Sequence, residues 1–189
     1  YILIYMISHK LKFIFIHIPK TSGNSLTLYL KDFIDDEVIN ITNSLGEKQG
    51  IRILCGKTRK HIKHVNITYY ENTYGEKIND YFKFTIVRNP YDRMLSFYFF
   101  SKGKNNQVFN RNEFINFIKK NDSFQHKYID NTFHIIHFEN LINELKNIEC
   151  FKEIVDFNNY STLNASSNSK RNYNEIYDEE LKDLVFNKY

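Results

Sequence analysis

Two short runs of β-branched and aromatic residues, each broken by a proline and followed at once by a helical pattern, constrain this chain more than any other feature. Phe13-Ile14-Phe15-Ile16-His17-Ile18 reads as a strand buried in a parallel sheet, and Pro19 ends it. After the tight turn of residues 20–23, Leu26, Leu28, Leu30, Phe33 and Ile34 recur at roughly helical spacing through residues 24–34. The arrangement returns at residues 81–88, Tyr-Phe-Lys-Phe-Thr-Ile-Val-Arg, where Pro90 stands at the start of the next helix with a fixed φ that suits a first turn. Residues 91–102 and 111–120 read as helices, 133–138 as a third strand, 139–157 as a broken helix and 173–187 as a closing helix. Between them, 35–60 is turn-rich around a strand at 51–54, 61–74 is a loop leading into a short helix that Gly75 ends, and 158–172 is a polar loop. Strands alternating with helices predict an α/β fold with a central, mainly parallel sheet and ligands at the carboxyl ends of its strands.

A length of 189 residues predicts one domain over residues 1–189, and 42% apolar with 25% charged residues is enough to bury a core. Twenty-six basic against 22 acidic side chains give a net charge of +4. That is a mild bias, suited to a small anionic ligand and short of the dense basic stripe of a nucleic-acid binder. Cys55 and Cys150 stand far apart with no ligand spacing around them, so neither a disulfide framework nor a zinc site is implied. The apolar opening of residues 1–7 stops at Ser8-His9-Lys10, too short for a membrane span and without the marks of a signal peptide, so a cytoplasmic location is expected. Met6-Ile-Ser-His-Lys resembles a natural start, which would make residues 1–5 an upstream extension.

Two constellations carry candidate chemistry. The first is His17-Ile18-Pro19-Lys20-Thr21-Ser22-Gly23-Asn24-Ser25-Leu26, a strand-to-helix turn whose backbone N–H groups can cradle a phosphate-like anion. Lys20 adds a point charge, and Thr21 and Ser25 add hydroxyls. It is not a Walker A loop, because Lys20 precedes Gly23 where that loop needs a lysine after its second glycine. An ordinary strand–turn–helix connection is the competing explanation. The second is Val87-Arg88-Asn89-Pro90-Tyr91-Asp92-Arg93-Met94-Leu95-Ser96, in which Arg88 ends a strand and Ser96 lies two turns into the helix, so that a guanidinium fork and a hydroxyl can hold an anion together. Asp92 and Arg93 are expected to serve capping and surface pairing.

Together the two turns resemble the cofactor-binding signatures of sulfotransferases that use 3'-phosphoadenosine 5'-phosphosulfate. The likeness is in particular to the branch with H-I-P-K-T-G-G-T-S and V-R-N-P-x-D-R-x-x-S motifs, which also relates to glycosaminoglycan 2-O-sulfotransferases. The likeness extends to Lys60-His61, residues 81–84, Phe138-Glu139-Asn140-Leu141 and residues 164–173. It implies a P-loop-NTPase-like three-layer fold. It also implies a 5'-phosphosulfate loop of Lys20, Thr21, Ser22, Gly23, Asn24 and Ser25, a 3'-phosphate site of Arg88 and Ser96, and closure of Lys170 or Arg171 over the cofactor. Asn24 stands where the family has threonine, and Ser22 where it has alanine or glycine. The chain also ends a little before its relatives do.

Sulfuryl transfer depends on positioning and electrostatics, as phosphoryl transfer does. Lys20 would neutralise charge on the departing bisphosphate, and a histidine would take the acceptor's proton. The family's Lys-His pair favours His61 as that base, with His64 next; His17 reads as structural, and Glu139 fits a base or a structural role. No metal is required. The resemblance implies a hydroxyl acceptor of carbohydrate type, and Lys102, Lys104, Arg111, Lys119 and Lys120 would suit an acidic saccharide or simply a solvated helix face. A catalytically silent nucleotide- or glycan-binding protein of the same fold is the alternative; a nucleotide kinase lacks the lysine and metal-binding aspartate it would need.

Overall fold

The computed structural model describes residues 5–35, 37–42, 48–54, 67–103, 108–152, 154–160 and 172–189. Its centre is a four-stranded sheet built from β1 (Tyr5–Ser8), β2 (Phe13–Ile16), β5 (Phe82–Val87) and β6 (His134–His137), in that order across the sheet. Between β2 and β5 the chain forms α1 (Gly23–Tyr29), a separate two-stranded sheet of β3 (Glu37–Thr42) and β4 (Lys48–Leu54), and α2 (Ile67–Tyr74). After β5 come α3 (Pro90–Ser101) and α4 (Arg111–Lys120), and β6 is followed by α5 (Leu141–Lys146) and α6 (Glu179–Phe186). β2, β5 and β6 are parallel, and β1 pairs antiparallel with β2 at the edge. All three parallel strands therefore deliver their carboxyl ends to one side of the sheet.

The period of two along the buried strands sorts the side chains into two cores. Phe13, Phe15, Phe84 and Ile86 face a layer containing Leu26 and Leu30 from α1 and its end, and Leu141 and Leu145 from α5. Ile14 and Ile16 face the other way, onto Tyr70 of α2 and Ile78. Helices thus cover both faces, as a mainly parallel sheet requires, and the α/β expectation is met. A third cluster joins α3, α4 and α6 through Met94, Tyr98, Phe114, Ile118, Leu181 and Val185.

Five elements depart from the sequence reading. β3 pairs with a longer β4 where only a strand at 51–54 was expected. The closing helix of 173–187 is a 3₁₀ turn (Tyr173–Glu175) followed by α6, which Asp178 caps. Three more have reasons in the packing. The apolar opening forms β1, which needs β2 as its partner and gives no local signal of its own. α1 stops at Tyr29, short of residue 34, because Ser8 Oγ donates to the Phe33 carbonyl (2.5 Å) and Asp35 N donates to the Ile7 carbonyl (2.9 Å). Those bonds recruit the backbone that would have continued the helix. The stretch 139–157 contains only α5 and short 3₁₀ turns, with Asn147 ending the helix.

Candidate functional site

The first turn is a compact, strained connection held mainly by its own backbone. Lys20 (φ 69°) and Ser22 (φ 73°) both adopt the left-handed conformation, which costs a non-glycine residue about 1–2 kcal/mol. Thr21 is fully buried and its hydroxyl donates to the Ile18 carbonyl at 2.7 Å. Its side chain is thereby committed to the turn, which leaves its backbone N–H as the group it can offer a ligand. The Ser22 carbonyl accepts from Ser25 N (3.0 Å) and Leu26 N (3.2 Å) and opens α1.

Gly23 answers to His17. A Cβ at position 23 would lie 1.9 Å from His17 Cδ2 and 2.4 Å from Nε2, so no side chain fits between the helix start and the ring. His17 is 6% exposed and stacks on Phe15 at 6.2 Å between centroids. Burial, reinforced by Lys20 and Arg93, drives its pKa down to about 3, and its Nδ1 has no hydrogen-bond partner among the described residues. A neutral, enclosed ring of this kind cannot collect a proton from an acceptor near neutral pH. The structural expectation for His17 agrees with this.

The second turn faces the first. Where β5 ends, the Gln125 amide bonds both sides of the Arg88 backbone, accepting from its N–H and donating to its carbonyl at 2.9 Å each. The Arg88 guanidinium meets Asp92 Oδ2 at 2.7 Å through both Nε and Nη2, donates from Nη1 to the Lys20 carbonyl at 3.1 Å, and lies 4.2 Å over the Phe138 ring. One arginine thus fastens the two turns together. Asp92, Ser96 and Phe100 follow at four-residue intervals and share a face of α3. At the far end of that stripe the Lys20 ammonium sits 4.1 Å from the centre of the exposed Phe100 ring. Burial, with repulsion from Arg88 adding to it, lowers the Lys20 pKa to about 8.

Arg93 overturns its expectation. It is 1% exposed, not a surface partner, because it lies on the Phe97 side of α3, which faces the interior. Nε donates to the Pro19 carbonyl (2.9 Å), Nη1 to the Ser123 carbonyl (2.7 Å) and Nη2 to Ser123 Oγ (3.1 Å). Burial pulls its pKa down to about 10. The (i, i+4) spacing to Phe97, amid Met94 and Leu95, was the available sign of an inward arginine. Tyr160, 138 residues from the first turn, brings its hydroxyl 3.3 Å from Ser22 Oγ, and no sequence signal pointed to it.

Glu139 accepts from Asn89 N at 2.7 Å, and Asn89 Oδ1 caps α3 through Tyr91 N at 3.0 Å, so the carboxylate holds the second turn in shape. Lys102 pairs with Glu113 at 2.7 Å, and Arg111 with Asp178 at 2.9 Å and Glu180 at 2.5 Å; these charges tie helices together. His9 bonds Tyr81 OH (2.7 Å) and His134 begins β6, both toward the amino ends of the parallel strands. His61, His64, Lys104, Lys170 and Arg171 lie outside the described residues. Among the described residues, no three His, Cys, Asp or Glu side chains are grouped to hold a metal ion, and no helix is long and apolar enough to cross a membrane.

Lys20 and Arg88 thus meet at the carboxyl edge of β2 and β5, between a strained backbone turn and a face of α3. Comparison with curated proteins and with solved structures found no match. The model of the sulfotransferase family matches residues 4–189, which takes in both turns and every strand of the central sheet, and the chain belongs to that family.

Proposed function

We propose that this sulfotransferase moves a sulfuryl group from 3'-phosphoadenosine 5'-phosphosulfate to a hydroxyl of a saccharide acceptor, by in-line displacement and without a metal. The observation that carries the reading is the convergence of two cations from separate strand ends. The Lys20 ammonium lies over the Phe100 ring of α3, and the Arg88 guanidinium is locked to the same turn through Asp92 and the Lys20 carbonyl. A nucleotide with an anionic group at each end of its ribose matches two cationic points better than a nucleotide with one.

In this reading the turn of Lys20, Thr21, Ser22, Gly23, Asn24 and Ser25 holds the 5'-phosphosulfate, and Arg88 with Ser96 holds the 3'-phosphate. Lys170 or Arg171 closes over the cofactor. When bound, the donor supplies an activated sulfur–oxygen bond. Lys20 offsets the charge that grows on the bridging oxygen as the bisphosphate leaves. The acceptor oxygen forms the new bond to sulfur while its proton passes to a histidine. In this reading that histidine is His61, on the likeness of Lys60-His61 to the family's Lys-His pair, with His64 as the second choice.

Calorimetric titration with adenosine 3',5'-bisphosphate beside 5'-AMP, on the wild type and on Arg88→Ala, tests the reading. Tight binding of the bisphosphate alone, lost in the variant, supports it. Equal binding of both nucleotides, or of neither, sinks it and brings forward the silent binding protein.

A further inference from the structure

We propose that Tyr160 is a cofactor-contact residue whose hydroxyl joins those of Ser22 and Ser25 in holding the 5'-phosphate end of the ligand; this rests on the reading above. Tyr160 follows a 3₁₀ turn (Phe157–Asn159) that is built to present it. Asp156 caps that turn by accepting from Asn158 N at 2.9 Å, and Tyr160 N donates to the Phe157 carbonyl at 3.3 Å. Phe157 is 2% exposed, locked into the core that α1 shares. The Tyr160 ring packs edge-on against Tyr29 with centroids 5.2 Å apart, and the Tyr29 hydroxyl in turn donates to the Asp156 carbonyl. A rigid aromatic arm so anchored delivers its hydroxyl at small entropic cost.

That arm ends on the part of the turn assigned to the anion. The Tyr160 hydroxyl lies 3.3 Å from Ser22 Oγ and is also hydrogen-bonded to Ser25. Three hydroxyls in contact can each act as donor or acceptor, so they can rotate together toward an oxyanion. The 3.3 Å separation is longer than the usual 2.7–2.8 Å or so of such bonds, and an anion shared among the three can shorten its own contacts. Burial raises the Tyr160 pKa, which keeps the phenol protonated and able to donate throughout the working pH range. In the same turn the Asn24 Oδ1 is buried without a hydrogen-bond partner among the described residues.

The test is calorimetric titration of wild type, Tyr160→Phe and Tyr29→Phe with adenosine 3',5'-bisphosphate and, separately, with adenosine 3'-monophosphate. Tyr160→Phe removes one oxygen and keeps the ring packing. The expected result is a three- to tenfold or so weaker affinity for the bisphosphate in Tyr160→Phe, no change for the 3'-monophosphate, and in Tyr29→Phe, where only an anchor of the arm is lost, a smaller weakening confined to the bisphosphate. Unchanged bisphosphate affinity in Tyr160→Phe overturns the proposal. Tighter binding overturns it too, since Tyr160 would then compete with the ligand, and an equal loss for both nucleotides would reduce the residue to a structural role. A wild type that binds neither nucleotide defeats the functional reading itself, a result distinct from all of these.

Discussion

Replacing Gly23 by alanine should destabilise the protein through one contact, and removing that contact should reverse the sign. The added Cβ would stand 1.9, 2.3 and 2.4 Å from three atoms of the His17 ring, all inside any tolerable separation. The ring is a poor partner for relief: it is 6% exposed and stacked on Phe15. Overpacking of this kind costs about 1–3 kcal/mol, and the closeness of three contacts puts Gly23→Ala at the upper end. In a His17→Ala background those three contacts are gone. Gly23 opens α1 without a positive φ, so there alanine should be neutral or stabilising by up to about 1 kcal/mol. A double-mutant cycle by urea unfolding should therefore give a coupling of about 2 kcal/mol or more. The alternative is that Gly23 exists only to let a phosphate approach the backbone. Gly23→Ala would then fold normally, lose the bisphosphate, and gain nothing from His17→Ala; that outcome refutes the argument. The same curves carry an internal check in acid. The unfolded chain protonates His17 below its ordinary pKa of 6.5, whereas the folded chain resists until about pH 3. Stability attributable to His17 is therefore complete above pH 6.5 and falls by about 1.4 kcal/mol per unit below it, and His17→Ala should remove that slope.

Arg93→Met should cost about 1–3 kcal/mol in urea unfolding, because the Pro19 and Ser123 carbonyls lose their donor. Arg93→Lys should recover less than half of that, since one ammonium cannot span carbonyls on two different segments; full recovery would show that charge alone matters. Lys20 sets a pH dependence on ligand binding: with its pKa near 8 in the free protein, a bound anion must recharge it above that pH. Bisphosphate affinity should be level from pH 7 to about 8 and then fall by up to about tenfold per unit, with proton uptake visible as a buffer-dependent enthalpy. Lys20→Arg should flatten the profile, and a level wild-type profile to pH 9.5 or so would refute the assignment.

What could be read from the sequence was local. β2 and β5 carry continuous apolar runs, Pro19 and Pro90 mark their ends, and the two turns between strand and helix are short enough for their residue types to speak for their conformation. β1 was not legible, because four residues with an apolar bias become a strand only when β2 is beside them. The early end of α1 depends on hydrogen bonds to Ile7 and Ser8 that no helical periodicity reveals. The site divides in the same way. Lys20, Gly23 and Arg88 could be named from motif and spacing, but the reason for Gly23 is the His17 ring six positions earlier, and Arg93 and Tyr160 act on the first turn from 74 and 138 residues away. Asp92 belonged to capping in the sequence reading; in the fold it is the carboxylate that orients the Arg88 fork.

The electrostatics of the site explain why so much structure is spent on holding this turn. Lys20 and Arg93 stand beside a neutral His17, Arg88 stands beside Lys20, and Asp92 pairs with Arg88. Lys20 is depressed by burial and by Arg88, and His17 by burial, Lys20 and Arg93, so the free site works against its own charge. Left to themselves, such cations would drift apart into solvent. They are kept together because Arg88 is bonded to the Lys20 carbonyl and Arg93 to that of Pro19, which makes the backbone of the turn the common acceptor for both. A ligand that brings negative charge to Lys20 and Arg88 at once meets partners already desolvated and already placed, so little of its binding energy goes into ordering them. A nucleotide with a phosphate at only one end of its ribose reaches one of these cations and not the other, and the discrimination expected between the bisphosphate and 5'-AMP follows from that difference.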